Sequence, residues 1–340
     1  MIQDETRALA WFFEQHRDLI DNSKRVLVLN ALPGPYLSHL PSARTCCLQT
    51  FKPISDTLEQ AGYCVVTDSQ EAFDLILFFG TKHRDKNLYL FAHGLQQLRE
   101  NGILICSMPN ALGASRYRKN LGVLFGHVQS LSKFRCKVFW ATRTLDADFD
   151  LAERWMEKET LQRIPGSVLY AYPGTFSSDK IDTGSLLLSR FLPTNLAGVG
   201  ADLGAGYGYL SHALLQKSPN IREFHIYEAE YLALEAAKYN LRHFAEHTDL
   251  VFHWHDVTTG LRHKLLDWII MNPPFHIGRH ANVELGRAFI RASASALRAG
   301  GELYLVANQH LPYEGTLRKY CRVTDLITQD QGFKIYRARR

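Results

Sequence analysis

The chain has 340 residues, 46% hydrophobic and 21% charged, with a formal net charge of +5 and a pI near 8.8. This composition excludes a disordered chain, allows a sizeable buried core, and at this length suggests two domains. The mildly basic balance is compatible with an anionic partner without requiring one.

Taken in order, residues 6–20 place Leu9, Phe12, Phe13, His16 and Ile20 at helical spacing, which predicts a helix. Arg25-Val-Leu-Val-Leu-Asn30 reads as a buried parallel strand ended by Leu32-Pro-Gly-Pro35. Further strands are expected at 63–66, 74–79 and 102–107, with a helix over 87–100 between the last two. The alternation predicts a parallel α/β sheet. Residues 146–166 carry Asp146, Asp148, Asp150 and Glu153 to Glu159 and stop at Ile164-Pro-Gly166. This acidic, helix-prone connector sets the expected division: a first domain over 1–150, a linker over 151–166 and a second domain over 167–340.

The second half repeats the logic of the first. Strands are predicted at 199–203, 223–227, 250–253, 267–271 and 302–307, and the clearest helices at 229–244 and 283–299. Residues 322–327 and 333–338 flank a polar turn at Gly332 and read as a terminal β-hairpin. Asp74-Leu-Ile-Leu-Phe-Phe79 followed by Asn101-Gly-Ile-Leu-Ile105 echoes Asp267-Trp-Ile-Ile-Met271 followed by Gly300-Gly-Glu-Leu-Tyr-Leu305. A duplicated α/β domain is therefore expected. The first copy has Asn30-Ala-Leu-Pro-Gly34 and Phe79-Gly-Thr-Lys82 at the positions of the loops that carry chemistry in the second.

The first of those loops is Asp202-Leu-Gly204-Ala205-Gly206-Tyr-Gly208. Glycines at this spacing let a strand turn sharply into a helix and let backbone approach a ligand closely. The spacing departs from the dinucleotide fingerprint, and Asp202 would repel a pyrophosphate while suiting a cationic ligand. The next strand ends at Glu228, placed to accept hydrogen bonds from a ribose diol, and the one after it at Asp256. Carboxylates at three consecutive strand ends fit a nucleoside that carries positive charge. About seventy residues after the glycine loop comes Asn272-Pro273-Pro274-Phe275, a separation that fits two further β-α units. Its prolines fix φ and donate nothing, Asn272 adds an acceptor, and Phe275 adds a flat apolar face. Such a loop suits a planar base with an exocyclic amine, held by carbonyls and stacked on a ring.

These motifs resemble the class I S-adenosylmethionine-dependent methyltransferases that act on exocyclic amino groups. Tyr172-Pro-Gly-Thr-Phe-Ser177 with Asp182-Thr-Gly-Ser185-Leu-Leu-Leu188 is similar to the segment preceding the glycine loop in the methyltransferase small domain. Phe275-His276 and Gly332-Phe-Lys-Ile-Tyr-Arg337 resemble the RsmC-type 16S ribosomal RNA guanine-N2 methyltransferases. The resemblance is dense from Pro173 to Arg337 and rests on architecture alone before that. It implies two tandem Rossmann-like class I methyltransferase domains, the first degenerate and the second ending in an antiparallel hairpin. It also implies S-adenosylmethionine as cofactor, with Asp202, Gly204, Ala205 and Gly206 at its methionine part, Glu228 at the ribose, Asp256 at the adenine amine and Asn272 facing the methyl donor. Asn272, Pro273 and Phe275 would orient the guanine, and His276 could line its pocket. Tyr207 and Tyr209 are bulky for such a loop, and Glu228 is one carbon longer than the usual Asp.

Between Asn101 and Leu145 lie seven Lys or Arg and no Asp or Glu, with Tyr117, Phe134, Phe139 and Trp140 interleaved. Arg116, Arg118 and Lys119 are candidate RNA contacts on that stretch, and a solvated helix face is the alternative. His243 and His247, four apart on a predicted helix, could pair on a metal, but surface or packing roles are favoured and no metal is expected. The six cysteines, Cys46, Cys47, Cys64, Cys106, Cys136 and Cys321, contain no CxxC pair, so reduced thiols are expected. With no signal-peptide pattern at Met1 to Thr6 and no membrane-length apolar run, the expectation is a cytoplasmic monomer acting on ribosomal RNA or the small ribosomal subunit. Competing readings are guanine-N2 methylation of large-subunit RNA, glutamine-N5 methylation of a protein, and a non-catalytic RNA-binding assembly factor. No general base is assigned.

Overall fold

Short aliphatic runs and helical stretches alternate along the chain, and the runs are collected into two sheets of one design. The computed structural model describes residues 3–274, 276–277, 280–281 and 283–340, in two units, Met1–Thr160 and Leu161–Arg340. The first contains α1 (Asp4–Gln15), α2 (Arg17–Asp21), β1 (Val26–Leu29), β2 (Thr45–Leu48), α3 (Lys52–Gln60), β3 (Cys64–Val66), β4 (Phe73–Phe79) and α4 (Arg84–Gln97). It continues with β5 (Leu98–Pro109), α5 (Ala114–Phe125), β6 (Gln129–Lys133), β7 (Cys136–Thr142) and α6 (Phe149–Met156). The second begins with β8 (Gln162–Arg163), β9 (Tyr170–Ala171), α7 (Thr183–Phe191), β10 (Ala197–Leu203), α8 (Tyr209–Leu215), β11 (Asn220–Glu228), α9 (Tyr231–Leu241), β12 (Asp249–Trp254) and β13 (Leu266–Met271). It ends with β14 (His276–Ile277), β15 (His280–Ala281), α10 (Val283–Ala296), β16 (Leu297–Asn308), α11 (Glu314–Tyr320), β17 (Val323–Asp330) and β18 (Phe333–Arg339). Among the described residues no helix is long and apolar enough to cross a membrane.

The two large sheets have the orders β3-β2-β1-β4-β5-β7-β6 and β12-β11-β10-β13-β16-β18-β17, which are the same topology read twice. In each, five parallel strands are followed by an antiparallel pair. The expected duplication and terminal hairpin are both present. The two longest strands, β5 and β16, each of 12 residues, share one pattern of buried and exposed positions. Alternating side chains enter opposite cores, as the pleat dictates. Val26 and Val28 meet α1, whereas Leu27 and Leu29 meet α4 and α5. Likewise Ile269 and Met271 pack under α10, whereas Trp268 and Ile270 face α7, α8 and α9.

The same brace recurs at the base of both sheets. Asp74 accepts from the backbone N–H groups of Lys24 and Arg25 and from Arg99. Asp267 accepts from Val199 N–H and from Arg298. Each carboxylate thus ties the first strand of its sheet to the fourth and to the turn that opens the fifth.

Residues 151–166, expected as a linker, are divided between the units. Asp148 caps α6 by accepting from Leu151 N–H, and Leu151, Ala152, Trp155 and Met156 join the first unit's core. Beyond Thr160, β8 pairs with β9 in the second unit. The acidic surface of this stretch hid an apolar helix face. The hairpin β6–β7 lies in the basic stretch and was not foreseen, because its turn residues Phe134 and Arg135 hold positive φ without the usual Asn or Gly.

Gly200 on β10 is required by close approach: a Cβ there would lie 2.2 Å from the Trp268 ring. Trp268 is buried and donates to the Ala197 carbonyl. Gly200→Ala should therefore destabilise the second unit by about 2 kcal/mol in urea unfolding.

Candidate active site

Four chain segments meet at the carboxyl ends of β10, β11, β12 and β13. Leu203 at the end of β10 is registered with Tyr227 of β11 on one side and Met271 of β13 on the other. The loop after β10 turns through Gly204, Gly206 and Gly208, all with positive φ. Gly204 N–H and Ala205 N–H both donate to the Tyr227 carbonyl, at 2.9 and 3.1 Å. That folds the loop over the end of β11. A Cβ on Gly204 would meet Phe289 at 3.3 Å, whereas among the described residues nothing lies within 4 Å of one on Gly206. Gly206 therefore borders open space in front of the loop.

The three acids stand at the three adjacent strand ends, as expected from the sequence. Asp202, on the α8 side of the sheet, is fully buried. Its Oδ2 accepts from the Ser211 hydroxyl at 2.7 Å, and its Oδ1 has no hydrogen-bond partner among the described residues. Burial, together with the nearby Glu228 carboxylate, raises the Asp202 pKa to about 7, against the lowering effect of Ser211. A buried acceptor left open in this way fits a cationic donor such as an ammonium group.

Glu228 is half-buried, and burial raises its pKa while three backbone donors oppose the rise. Gly206 N–H reaches Oε2, and the N–H groups of Ala229 and Glu230 reach Oε1, each at 2.8 Å. The extra carbon of Glu228 is used to fold back onto its own turn. Asp256 caps the short 257–259 turn through Thr258 N–H and the Thr258 hydroxyl. The backbone joins these acids too, since His255 N–H donates to the Glu228 carbonyl.

The bulky loop residues turn away from the open face. Tyr207 is buried with Ile164, Leu169, Ala171 and Ala236, and Asn240 donates to its carbonyl. Tyr209 packs against the same small core. Residues 164–171 and α9 thus give Tyr207 its pocket.

Asn272 follows β13 directly. Its Nδ2 donates to Asp182 Oδ2 and to Ser185 Oγ, both at 2.8 Å. The Asp182 carboxylate, 2.7 Å from Ser185 N–H, also caps α7. A carboxylate only accepts, so the amide face turned to Asp182 must be the NH2. Both amide hydrogens are thereby engaged at the start of α7. Pro273 is buried and Pro274 exposed. Phe275 and the His276 side chain lie outside the described residues, where only the backbone pairing of β14 with β15 is described. Asp182 and Ser185 had been noted only as part of a resemblance. Their separation of 90 and 87 residues from Asn272 leaves no local signal of the contact.

In the first unit, Arg116 and Lys119 are exposed on α5, and Arg118 donates to the Val128 carbonyl. Of the interleaved aromatics, Tyr117 and Phe139 are buried, Trp140 packs on Phe12, and half-buried Phe134 lies against Arg7.

A family model described as "Methyltransferase small domain" matches residues 167–337. The chain is similar to ribosomal RNA small subunit methyltransferase C of Shewanella halifaxensis, with 28% identity over 339 residues, 95% of this chain and 96% of that protein. The protein of that name from Haemophilus influenzae is 28% identical over 266 residues, 77% of this chain and 78% of its own. A solved structure described as T. thermophilus 16S rRNA N2 G1207 methyltransferase (RsmC), in complex with AdoMet and guanosine, shares the fold. Its TM-score is 0.78 at 21% identity, over 95% of this chain and 91% of that one.

The raised pKa of Asp202 has a signed consequence. Between pH 3.8, the ordinary value, and about 7, the folded chain holds a proton on Asp202 that the unfolded chain has released. This contribution to stability is therefore largest in acid and is lost as pH rises through that window. Urea unfolding of Asp202→Asn across the same range should show that part of the slope removed.

Proposed function

The chain belongs to the methyltransferase small domain family, and on that premise we propose that it transfers a methyl group from S-adenosylmethionine to the exocyclic N2 amine of a guanine in small-subunit ribosomal RNA. The observation that supports this reading is the Asn272 amide, whose Nδ2 donates to both Asp182 and Ser185 and so leaves the carbonyl oxygen as the group that would accept from the guanine amine. S-adenosylmethionine, when bound, supplies an already electrophilic methyl group, so alignment is the protein's main task. The open Asp202 Oδ1 would receive the cofactor ammonium, beside the Gly204–Gly206 backbone. Glu228 would accept from the ribose hydroxyls and Asp256 from the adenine amine.

On the acceptor side, the Asn272 and Pro273 carbonyls would take hydrogen bonds from the guanine amine. An amine conjugated with its ring is a poor nucleophile, and two acceptors in fixed directions favour the geometry in which its lone pair leaves the ring plane. The names of these relatives, as ribosomal RNA small subunit methyltransferases, support the choice of substrate. The first unit is assigned to substrate binding, with Arg116, Arg118 and Lys119 in a stretch, 101–145, that contains no acidic residue. Its role is phosphate neutralisation without base stacking.

Nucleoside mass spectrometry on separated ribosomal RNAs, from cells with and without this gene, tests the function. Loss of N2-methylguanosine from small-subunit RNA is expected; loss confined to large-subunit RNA, or an unchanged profile, would overturn the assignment. Asn272→Ala should abolish methyl transfer while cofactor affinity, read by calorimetry, largely survives. Arg116→Ala combined with Lys119→Ala should weaken RNA binding and reduce the slope of log K against log salt by about 1 to 2.

A further inference from the structure

Behind the glycine loop, on the sheet face opposite Asp202, three histidines converge. His225 and Tyr227 alternate along β11 and so share a face, His253 of β12 is registered with Tyr227, and His263 arrives from the loop before β13. A ring nitrogen of each lies within 4.8 Å of those of the other two. His225 Nδ1 stands 3.1 Å from His253 Nε2. Two nitrogens on one tetrahedral ion, each bound at about 2.0 Å, would be about 3.3 Å apart. His225 is buried; His253 and His263 are half-buried, which leaves the cluster a route to solvent.

The partners of these rings have the character of a metal site's outer layer. The far nitrogen of His225, Nε2, is buried without a well-aligned hydrogen bond, and its nearest acceptor is Glu223 Oε1 at 3.1 Å. The Tyr227 hydroxyl lies 3.0 Å from His263 Nδ1. A carboxylate or hydroxyl behind a ligating imidazole fixes its tautomer and orientation. Burial, with His225, His263, His255 and Arg262 nearby, holds the His253 pKa down to about 4. Burial also lowers that of His225. Both shifts favour the neutral imidazoles of His225 and His253, the form that binds metals.

We propose that His225, His253 and His263 form a binding site for a borderline divalent cation, Zn2+, with Glu223 positioning His225 and Tyr227 positioning His263. Three imidazoles favour such an ion over Mg2+ or Ca2+, and the fourth position is left to water. On binding, the ring that carries the proton between His225 Nδ1 and His253 Nε2 shifts it to its own far nitrogen, and each ring gives a lone pair to the ion. The ion joins β11, β12 and the loop before β13. It thereby braces the strand that ends in Glu228 and the segment that follows Asp256, while taking no part in methyl transfer.

The test uses full-length, tag-free protein stripped with a chelator and dialysed, so that its outcome does not depend on the substrate assignment. Titration with Zn2+ should give one ion per chain by elemental analysis and a rise in melting temperature that chelator reverses. His253→Gln and His263→Gln, checked for fold by circular dichroism, should each lose both effects. His243→Ala with His247→Ala should keep them. Glu223→Gln should weaken the affinity about 10- to 100-fold. Absence of stoichiometric Zn2+ in the wild type would overturn the proposal. So would binding that survives His253→Gln and His263→Gln.

Discussion

The site is built around one peptide carbonyl. Tyr227 O, at the end of β11, accepts from both Gly204 and Ala205. The next residue, Glu228, receives Gly206 N–H on its carboxylate and His255 N–H on its carbonyl. The glycine loop and the exit of β12 are thus both hung on the last two residues of one strand. Each bond satisfies a backbone or carboxylate group at the strand end and fixes the loop in place. Their combined effect is to fix the loop over the end of β11, beside a buried carboxylate whose Oδ1 has no hydrogen-bond partner among the described residues.

The first unit shows the same scaffold without that opening. Asn30 holds positive φ as Gly204 does, and Ala31 N–H donates to Leu48 O as Ala205 N–H does to Tyr227 O. Gln49 occupies the place of Glu228, giving one hydrogen bond to the Ala31 carbonyl and accepting one from Phe51 N–H. Register puts buried Val28 where Asp202 stands and Phe79 where Asn272 stands. At the places of Asp202 and Glu228 the first unit thus holds an apolar and a neutral group. The amide of Gln49 closes the loop onto itself.

Much of this was legible because each parallel strand is a continuous apolar run ended by a turn residue. The glycine loop, the acids at 202, 228 and 256, and the Asn-Pro-Pro loop all carry local chemistry, and the sequence shows them in order. The short β2 escaped because Thr45-Cys-Cys-Leu48 is too brief and too weakly apolar to stand out. The Phe134-Arg135 turn escaped because it lacks the residues that ordinarily accept positive φ. The Asp182–Asn272 bond and the histidine cluster escaped for a different reason. They join residues far apart in the chain, and no periodicity records which strand ends or loops the fold brings together.

The repeated brace carries a broader meaning. Asp74 with Arg99, and Asp267 with Arg298, perform one mechanical task in two halves, only one of which retains a complete set of chemical groups. The chain is in that sense its own internal control. Where the halves agree, as at these braces and at the left-handed residue after the first strand, the shared feature is what the architecture itself demands. Where they differ, at Val28 and Asp202 or Gln49 and Glu228, the architecture is indifferent, and the working half has used that freedom for chemistry.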